Sequence, residues 1–357
     1  MEQQGYRVLM VNIAPPRLIQ LLFDVPWRNV CRLVDYKTRF SFLRSAPNRW
    51  FTKWKIKRTL ALNPEGHCVF MTYSFGAGKD RPYTLFCDQT FEQLITYFDE
   101  RKPNKLEVPA INEERLNLLG AELVIALFPE SAKALADEYG GKVKYYGNVI
   151  NLDQVKVDPA ELLARKRNSN EVLFIGNRKY MEGLQVLAEA VKLLNRGAGP
   201  QVTVHVVGME RKDLPKAPAN MRFHGYLDKD VPSQKSMYID LLERCRLFIN
   251  PTPKWASFSA SCEALYYYTP VMIVPYKEFT RTFGNVDRVG YALASSNPRK
   301  VAEAIGSMFA DEETWMAKAM AGHQATGKMS WDRYVRHFLD DLAKVEHAGE
   351  RIRAQHV

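Results

Sequence analysis

The chain lacks long apolar segments. No apolar run in its 357 residues reaches the roughly 18 to 20 residues that a membrane-spanning helix needs. The first residues also lack the apolar core of a secretory signal peptide. We therefore expect a protein without a transmembrane helix.

Cysteine and histidine are scarce and scattered. The five cysteines are odd in number and show neither metal-binding nor redox spacing, which predicts a reducing, cytoplasmic environment. The seven histidines form no metal-ligand pattern. We expect no metal site and no cofactor.

The length and the alternation of segments predict two α/β domains. A chain of 357 residues is long for one core. Strand-like and helix-like segments alternate in both halves, which is typical of α/β layers. For the first half we predict strands at Tyr6–Ile13, Cys68–Tyr73, Tyr83–Cys87 and Leu123–Leu127, and helices at Gln89–Tyr97 and Ser131–Tyr139.

The most informative segment extends from position 245 to 274. It predicts an apolar strand, a polar loop, a helix and a second apolar strand, and ligands of open α/β sheets bind at such loops. Glu263 lies in the predicted helix between Cys262 and Ala264. A carboxylate in apolar surroundings is costly unless it is paired or binds a ligand. The alternative is that Glu263 is a surface residue of an ordinary helix.

This segment resembles the family four retaining glycosyltransferases of the GT-B fold. Their signature is a Glu in a small-residue loop, a second Glu-Ala eight positions later, and Thr-Pro-Val opening the next strand. Glu263-Ala264 and Thr269-Pro270-Val271 match the second half, whereas Trp255 stands where the first Glu is expected. The resemblance implies that Glu263 binds the ribose hydroxyls of a nucleotide, and it leaves the usual sugar contact without its carboxylate.

The loop after Val172–Ile175 resembles the diphosphate loop of the same family. Asn177 and Glu182 replace the family's Arg and Lys, so we expect Arg178 and Lys179 to supply positive charge to a diphosphate at a helix N-terminus. The alternative is that both are solvated loop cations.

The segment 220–226 resembles a strand of the same family whose end passes near the nucleobase. The resemblance implies that Tyr226 lies at the base. The alternative is that Tyr226 only packs against its own domain. The full set of residues predicted to bind the nucleotide-sugar is Gly176, Asn177, Arg178, Lys179, Tyr226, Trp255, Ser257, Phe258, Ser259 and Glu263. The catalytic candidates are Glu263, Arg178 and Asp88. Asp88 follows a predicted strand, and a helix N-cap is its alternative role.

The resemblance also implies an architecture. It predicts two Rossmann-like domains with a cleft between them and a C-terminal helix that crosses back to the first domain. We place an acceptor-binding domain at 1–153, a nucleotide-sugar-binding domain at 154–329 and the returning helix at 330–357. Enzymes of this fold act without a metal.

Positive charge is concentrated between positions 24 and 60. Ten basic residues stand there against Asp24 and Asp35, with aromatic residues interleaved. Such a segment fits an anionic membrane surface, and the alternatives are a nucleic-acid backbone and a solvated face packed on its own domain. The residues predicted to form this membrane or acceptor surface are Trp50, Phe51, Lys53, Trp54, Lys57 and Arg58.

These observations predict a glycosyltransferase at the inner face of the membrane. It would move a sugar from a nucleotide-sugar, preferably a UDP-sugar, to a lipid-linked or polysaccharide acceptor, with retention of configuration. One alternative is a transferase that glycosylates DNA bases, in which the basic segment contacts the duplex. Another is a non-catalytic GT-B binding subunit, because the first Glu and the Lys of the family are missing.

Overall fold

The computed structural model describes residues 5–35, 44–78, 81–197, 200–254 and 257–354. They belong to two compact units. The first comprises the chain up to Gly147 together with the stretch from Val335 onward, and the second extends from Asn148 to Tyr334. Each unit contains one sheet whose strands are all parallel. The expected α/β architecture with two parallel sheets is confirmed.

The first unit has a four-stranded sheet in the order β1-β2-β3-β4. Its core packs side chains such as Tyr83, Leu85 and Val124 from the sheet against Leu118 and Leu135 of the covering helices. The elements are α1 (Arg17–Val34), α2 (Ala46–Leu62), β1 (Cys68–Phe70), β2 (Tyr83–Cys87), α3 (Phe91–Gln93), α4 (Val108–Gly120), β3 (Leu123–Ala126), α5 (Pro129–Tyr139) and β4 (Val143–Lys144).

The prediction of a strand over Tyr6–Ile13 is wrong. Residues 5–13 form neither helix nor strand, and Leu9 and Met10 are exposed. A strand must pair its N–H and C=O groups with a neighbour, but β1 pairs only with β2. The apolar run over residues 6–13 joins neither the outer edge of β1 nor that of β4, and without a pairing partner it forms no strand.

The other strands and helices predicted for the first unit are confirmed, most of them with shifted bounds. The strand over Tyr83–Cys87 is β2, and the helix over Ser131–Tyr139 begins two residues earlier as α5. The helix expected from Gln89 begins at Phe91 and continues from Leu94 as a π-helix. Thr90 forms a capping box with Gln93, so the N-cap role suggested for Asp88 belongs to Thr90.

The second unit has a six-stranded sheet in the order β10-β9-β8-β5-β6-β7. Phe174 on β5 and Leu247 on β8 are fully buried, as expected for strands covered by helices on both faces. The elements are α6 (Pro159–Arg167), β5 (Glu171–Ile175), α7 (Met181–Arg196), β6 (Thr203–Val207), β7 (Met221–Gly225), α8 (Pro232–Arg244), β8 (Leu247–Asn250), α9 (Phe258–Tyr266), β9 (Val271–Ile273), α10 (Lys277–Phe283), β10 (Gly290–Ala292), α11 (Pro298–Ala310), α12 (Glu312–Thr326) and α13 (Trp331–Ala354), whose residues from Val335 onward belong to the first unit.

A buried histidine pair interrupts this apolar sheet. His205 on β6 is fully buried, and its Nδ1 lies 2.9 Å from Nε2 of His224 on β7. Burial, reinforced by the positive charge of Arg244, lowers the pKa of His205 to about 4. The ring is therefore neutral in the folded protein at neutral pH.

We expect the stability of the second unit to fall as the pH decreases from about 6.5 toward 4. In that window an unfolded histidine binds a proton that folded His205 does not, so the free energy of unfolding decreases by about 1.4 kcal/mol per pH unit for this one group. Urea denaturation across this range gives the free energy of unfolding at each pH. In His205→Gln this free energy should depend on pH less steeply than in wild type, by about the effect of one bound proton. Parallel curves for wild type and variant would contradict the assignment.

Candidate functional site

The site is built at the carboxyl ends of β5 and β8. These strands are adjacent at the centre of the sheet, and the strand order proceeds in opposite directions from them, through β6 and β7 on one side and β9 and β10 on the other. Open parallel sheets bind ligands at such a switch point. The described residues that follow these strands, 176–180 after β5 and 251–254 together with Ser257 after β8, are called the switch-point loops below.

Hydrogen bonds join the two switch-point loops. The Ser257 hydroxyl donates to the carbonyl of Ile175 at 2.8 Å and accepts from the Asn250 amide at 3.1 Å. The side-chain oxygen Oδ1 of Asn250 accepts hydrogen bonds from the hydroxyl and the backbone N–H of Thr252. Ser257 has a φ of 52°, in the left-handed region. The end of β8, its loop and the end of β5 are thus fixed as one structure.

Glycine permits the close approach of this structure to helix α7. A Cβ atom at Gly183 would lie 2.7 Å from the backbone nitrogen of Thr252, which is closer than side-chain carbons normally approach. Gly208, with a φ of 95°, lies similarly close to the carbonyl of Gly176. Gly183 and Gly208 therefore occupy positions where a larger residue would collide with the backbone.

The N-terminus of α9 opens onto the switch-point loops. Its first intrahelical bond joins the Ser261 N–H to the Ser257 carbonyl, so the amides of Ser259 and Ala260 precede the ladder of intrahelical bonds. No side-chain hydrogen bond from the N-cap satisfies them. Ser259 is exposed, whereas the ring of Phe258 is buried against Phe279 and Phe283.

Glu263 lies five residues into α9 and is 4% exposed. Lys229, in the loop after β7, places its Nζ 2.5 Å from Glu263 Oε1. The Tyr238 hydroxyl, from α8, donates to Glu263 Oε2 at 2.6 Å. Burial, together with the neighbouring carboxylate, raises the pKa of Tyr238 well above its usual range, so this hydroxyl keeps its proton. Glu263 is thus a buried, paired carboxylate rather than a helix-surface residue.

The cations of the first switch-point loop are exposed. Asn177 accepts the Lys179 N–H at 3.0 Å and so shapes the loop. Arg178 forms an ion pair of 2.6 Å with Asp213, which follows β6, and its side chain is 78% exposed. Lys179 is exposed, and Tyr226, which follows β7 at the same edge of the sheet, is also 78% exposed.

The other predicted site residues lie elsewhere. Trp255 is outside the described residues. Asp88 is an exposed residue of the first unit, and its carboxylate accepts the N–H of Gln89 at 2.8 Å. Asn250, Thr252, Lys229 and Tyr238 were not predicted. For Asn250 the sequence held a signal, since a polar residue ends an otherwise apolar strand.

The basic aromatic segment coincides partly with helix α2. Trp50 and Trp54 are 74% and 49% exposed, and the ring of Phe51 lies 5.9 Å from that of Trp54. The Arg58 guanidinium lies 5.7 Å from the Trp54 ring, and Lys53 forms an ion pair of 2.6 Å with Glu113 of α4. Lys57 is exposed.

Among the described residues there is neither a cluster of metal ligands nor a membrane-spanning helix. They contain no group of three or more His, Cys, Asp or Glu side chains placed to bind a metal. The sequence has one Asp-x-Asp pair, in which the Asp228 carboxylate accepts the N–H of Asp230 within a local turn. Over the same described ranges, no helix has the length and apolar character required to cross a bilayer.

Comparison with known proteins identifies the type of the second unit. Residues 160–322 match the family model of glycosyl transferases group 1. No match was found among curated protein sequences.

Solved glycosyltransferase structures share the fold of the chain. Sucrose-phosphate synthase from Thermosynechococcus elongatus aligns with a TM-score of 0.64 at 14% identity, over 86% of this chain and 80% of that chain. Anabaena HepE in complex with UDP-glucose aligns at 0.58 and 16% identity, over 82% of each chain. WaaG, a glycosyltransferase involved in lipopolysaccharide biosynthesis, aligns at 0.56 and 12% identity, over 79% of each chain. The expected GT-B fold and the resemblance to its glycosyltransferases are confirmed.

The contact between α7 and the second switch-point loop gives a direct test of this geometry. Gly183→Ala should lower the free energy of unfolding by about 1 to 3 kcal/mol, because the new methyl group overlaps the Thr252 backbone. The matched control is Gly306→Ala in α11, where a Cβ meets no atom within 4 Å. This control should gain about 0.5 to 1 kcal/mol. Equal effects of the two substitutions in urea denaturation would contradict the packing described.

Proposed function

We propose that this chain, whose residues 160–322 match the family model of glycosyl transferases group 1 and which has a GT-B fold, transfers a sugar from a UDP-sugar to a lipid-linked or polysaccharide acceptor. The observation that carries the proposal is the geometry of α9. One short helix presents an open N-terminus at the switch point and a buried carboxylate at Glu263. At 1.5 Å per residue these features are separated by about 7.5 Å, a span that suits the diphosphate and ribose of one nucleotide.

The diphosphate would bind at the start of α9. Its oxygens would accept from backbone amides in the first turn of α9, where the helix dipole favours an anion. Lys179 and Arg178 supply positive charge from the facing loop, and Arg178 must first exchange its bond to Asp213 for one to phosphate. These groups stabilise the negative charge that develops on the departing diphosphate. The proposed reaction therefore requires no metal ion, and it proceeds with retention of configuration as in the resembling family.

The ribose would bind at Glu263. Each carboxylate oxygen has two acceptor sites, and Lys229 and Tyr238 occupy one on each oxygen. One acceptor site per oxygen remains for the 2′- and 3′-hydroxyls of a ribose. HepE structures contain UDP or UDP-glucose, which supports UDP-sugars as the first donors to test.

We expect Glu263→Gln to weaken UDP binding by roughly tenfold or more. The change replaces a charged acceptor by a neutral amide, and hydrogen bonds to a charged group contribute about 1.5 to 3 kcal/mol each. Titration calorimetry gives the affinity, and mass spectrometry of UDP-, GDP- and dTDP-sugar hydrolysis gives the activity and the donor. The control, Glu303→Gln, changes an exposed glutamate of α11 that pairs with Lys300. Unchanged UDP affinity in folded Glu263→Gln would refute the ribose assignment.

The first unit carries the features that support attachment to a membrane. The face of α1 that bears Leu18, Leu21, Leu22 and Leu33 is uncovered, with each of these side chains at least 67% exposed. Along the same helix Arg17, Arg28 and Arg32 stand against one acid, Asp24, which pairs with Arg28. A helix that combines exposed leucines along one face with arginines beside them fits the interface of an anionic bilayer.

Helix α2 adds charge and aromatic surface to the same unit. Trp50 and Trp54 are exposed, and Lys57 and Arg58 are exposed beside them. Each cation close to an anionic leaflet contributes about 1 kcal/mol. We therefore propose that the protein binds the cytoplasmic leaflet through α1 and α2, where a lipid-linked acceptor would be available.

We expect the double variant Leu18→Gln/Leu22→Gln to lose sedimentation with vesicles of phosphatidylcholine and phosphatidylglycerol. These leucines are exposed, so their replacement removes membrane contact without opening the core. The matched control is Leu116→Gln/Leu119→Gln, which alters two leucines of similar exposure on α4. Trp50→Ala/Trp54→Ala should also weaken sedimentation.

Two outcomes would contradict the membrane assignment. Binding to duplex DNA with a steep salt dependence, and none to anionic vesicles, would indicate a nucleic-acid partner. A concentration-dependent dimer that the Leu18/Leu22 change dissociates would indicate that the face of α1 binds a second copy of the chain.

A further inference from the structure

Glu263 is held by two donors that lie outside its own helix. Lys229 comes from the loop between β7 and α8, and Tyr238 comes from the second turn of α8. The Lys229 Nζ also lies 4.5 Å from the centre of the Tyr238 ring. The three residues, named the Glu263 cluster here, therefore contact one another pairwise.

The two donors occupy different environments. Tyr238 and Glu263 are almost fully buried, whereas the Lys229 side chain is 28% exposed. Lys229 is thus the member of the Glu263 cluster that solvent reaches, and a nucleoside that approaches Glu263 from solvent would meet it. Tyr238 supports the carboxylate from the protein interior.

Two fixed donors determine the orientation of a carboxylate. A free glutamate side chain rotates about its terminal bond, because that torsion is broad. With one donor on each oxygen, rotation of the Glu263 carboxylate would break both hydrogen bonds. A buried carboxylate also needs a cation nearby, since removing one partner of a buried ion pair is strongly unfavourable.

We propose that Lys229 and Tyr238 are positioning residues that hold the Glu263 carboxylate in the orientation that accepts both hydroxyls of a ribose. This inference rests on the proposed function of Glu263 as the ribose contact. It adds that the selectivity of the site for ribose over 2′-deoxyribose depends on residues after β7. Lys229 acts here through Glu263 and is not replaced by the nucleotide.

The test compares the affinities of UDP and 2′-deoxy-UDP by titration calorimetry. Wild type should prefer UDP. Lys229→Met, which keeps the length but removes the charge, should weaken UDP binding by about tenfold and bring the ratio of the two affinities close to one. Lys229→Arg, which keeps a charged donor, should restore most of the preference. Tyr238→Phe should reduce the ratio less, because it removes one neutral hydroxyl.

A matched control and two contrary outcomes complete the test. Lys235→Met removes a lysine of α8 that pairs with Asp153, and it should leave both affinities unchanged. If Lys229→Met lowers both affinities equally, Lys229 has only a structural role; if it strengthens UDP binding, Lys229 competes with ribose. Either result overturns the positioning inference while Glu263→Gln still weakens UDP binding. If Glu263→Gln has no effect on UDP, the proposed function itself fails.

Discussion

All six strands of the second sheet are parallel, and this constraint determines where chemistry can occur in the unit. Parallel strands place their carboxyl ends, and the loops that follow, along one edge of the sheet. The reversal of strand order between β5 and β8 separates their helices and leaves both loops accessible at that edge. The bonds of Ser257, the Asn250 and Thr252 pair and the close approach at Gly183 then fix these loops before any ligand binds.

The buried carboxylate of Glu263 is the feature of this sheet edge on which the proposed function depends. Glu263 is surrounded by the apolar side of α9, where an isolated charge would be strongly unfavourable. The Lys229 ammonium and the Tyr238 hydroxyl stabilise the buried charge of Glu263. Each carboxylate oxygen still has one acceptor site that these two donors do not use. A carboxylate retained at this cost, one and a half turns from an open helix N-terminus, is what a nucleoside diphosphate site requires.

Local patterns predicted the parts of the site that are continuous in sequence. The apolar strands and the helix around Glu263 could be predicted, because each depends on neighbours a few residues away. Lys229 and Tyr238 could not, since they reach Glu263 from 34 and 25 positions along the chain. The strand expected at Tyr6–Ile13 failed for the same reason, because pairing depends on a partner that the alternation of side chains does not reveal. The ion pair of Arg178 with Asp213 was likewise invisible in the sequence.

The central claim is that α9 binds one nucleotide through its N-terminus and Glu263. The most direct measurement is a crystal structure of the protein with bound UDP. The account predicts that both ribose hydroxyls lie within hydrogen-bond distance of the Glu263 carboxylate and that the diphosphate lies at the N-terminus of α9. UDP bound elsewhere on the chain, with Glu263 contacting only Lys229 and Tyr238, would contradict it.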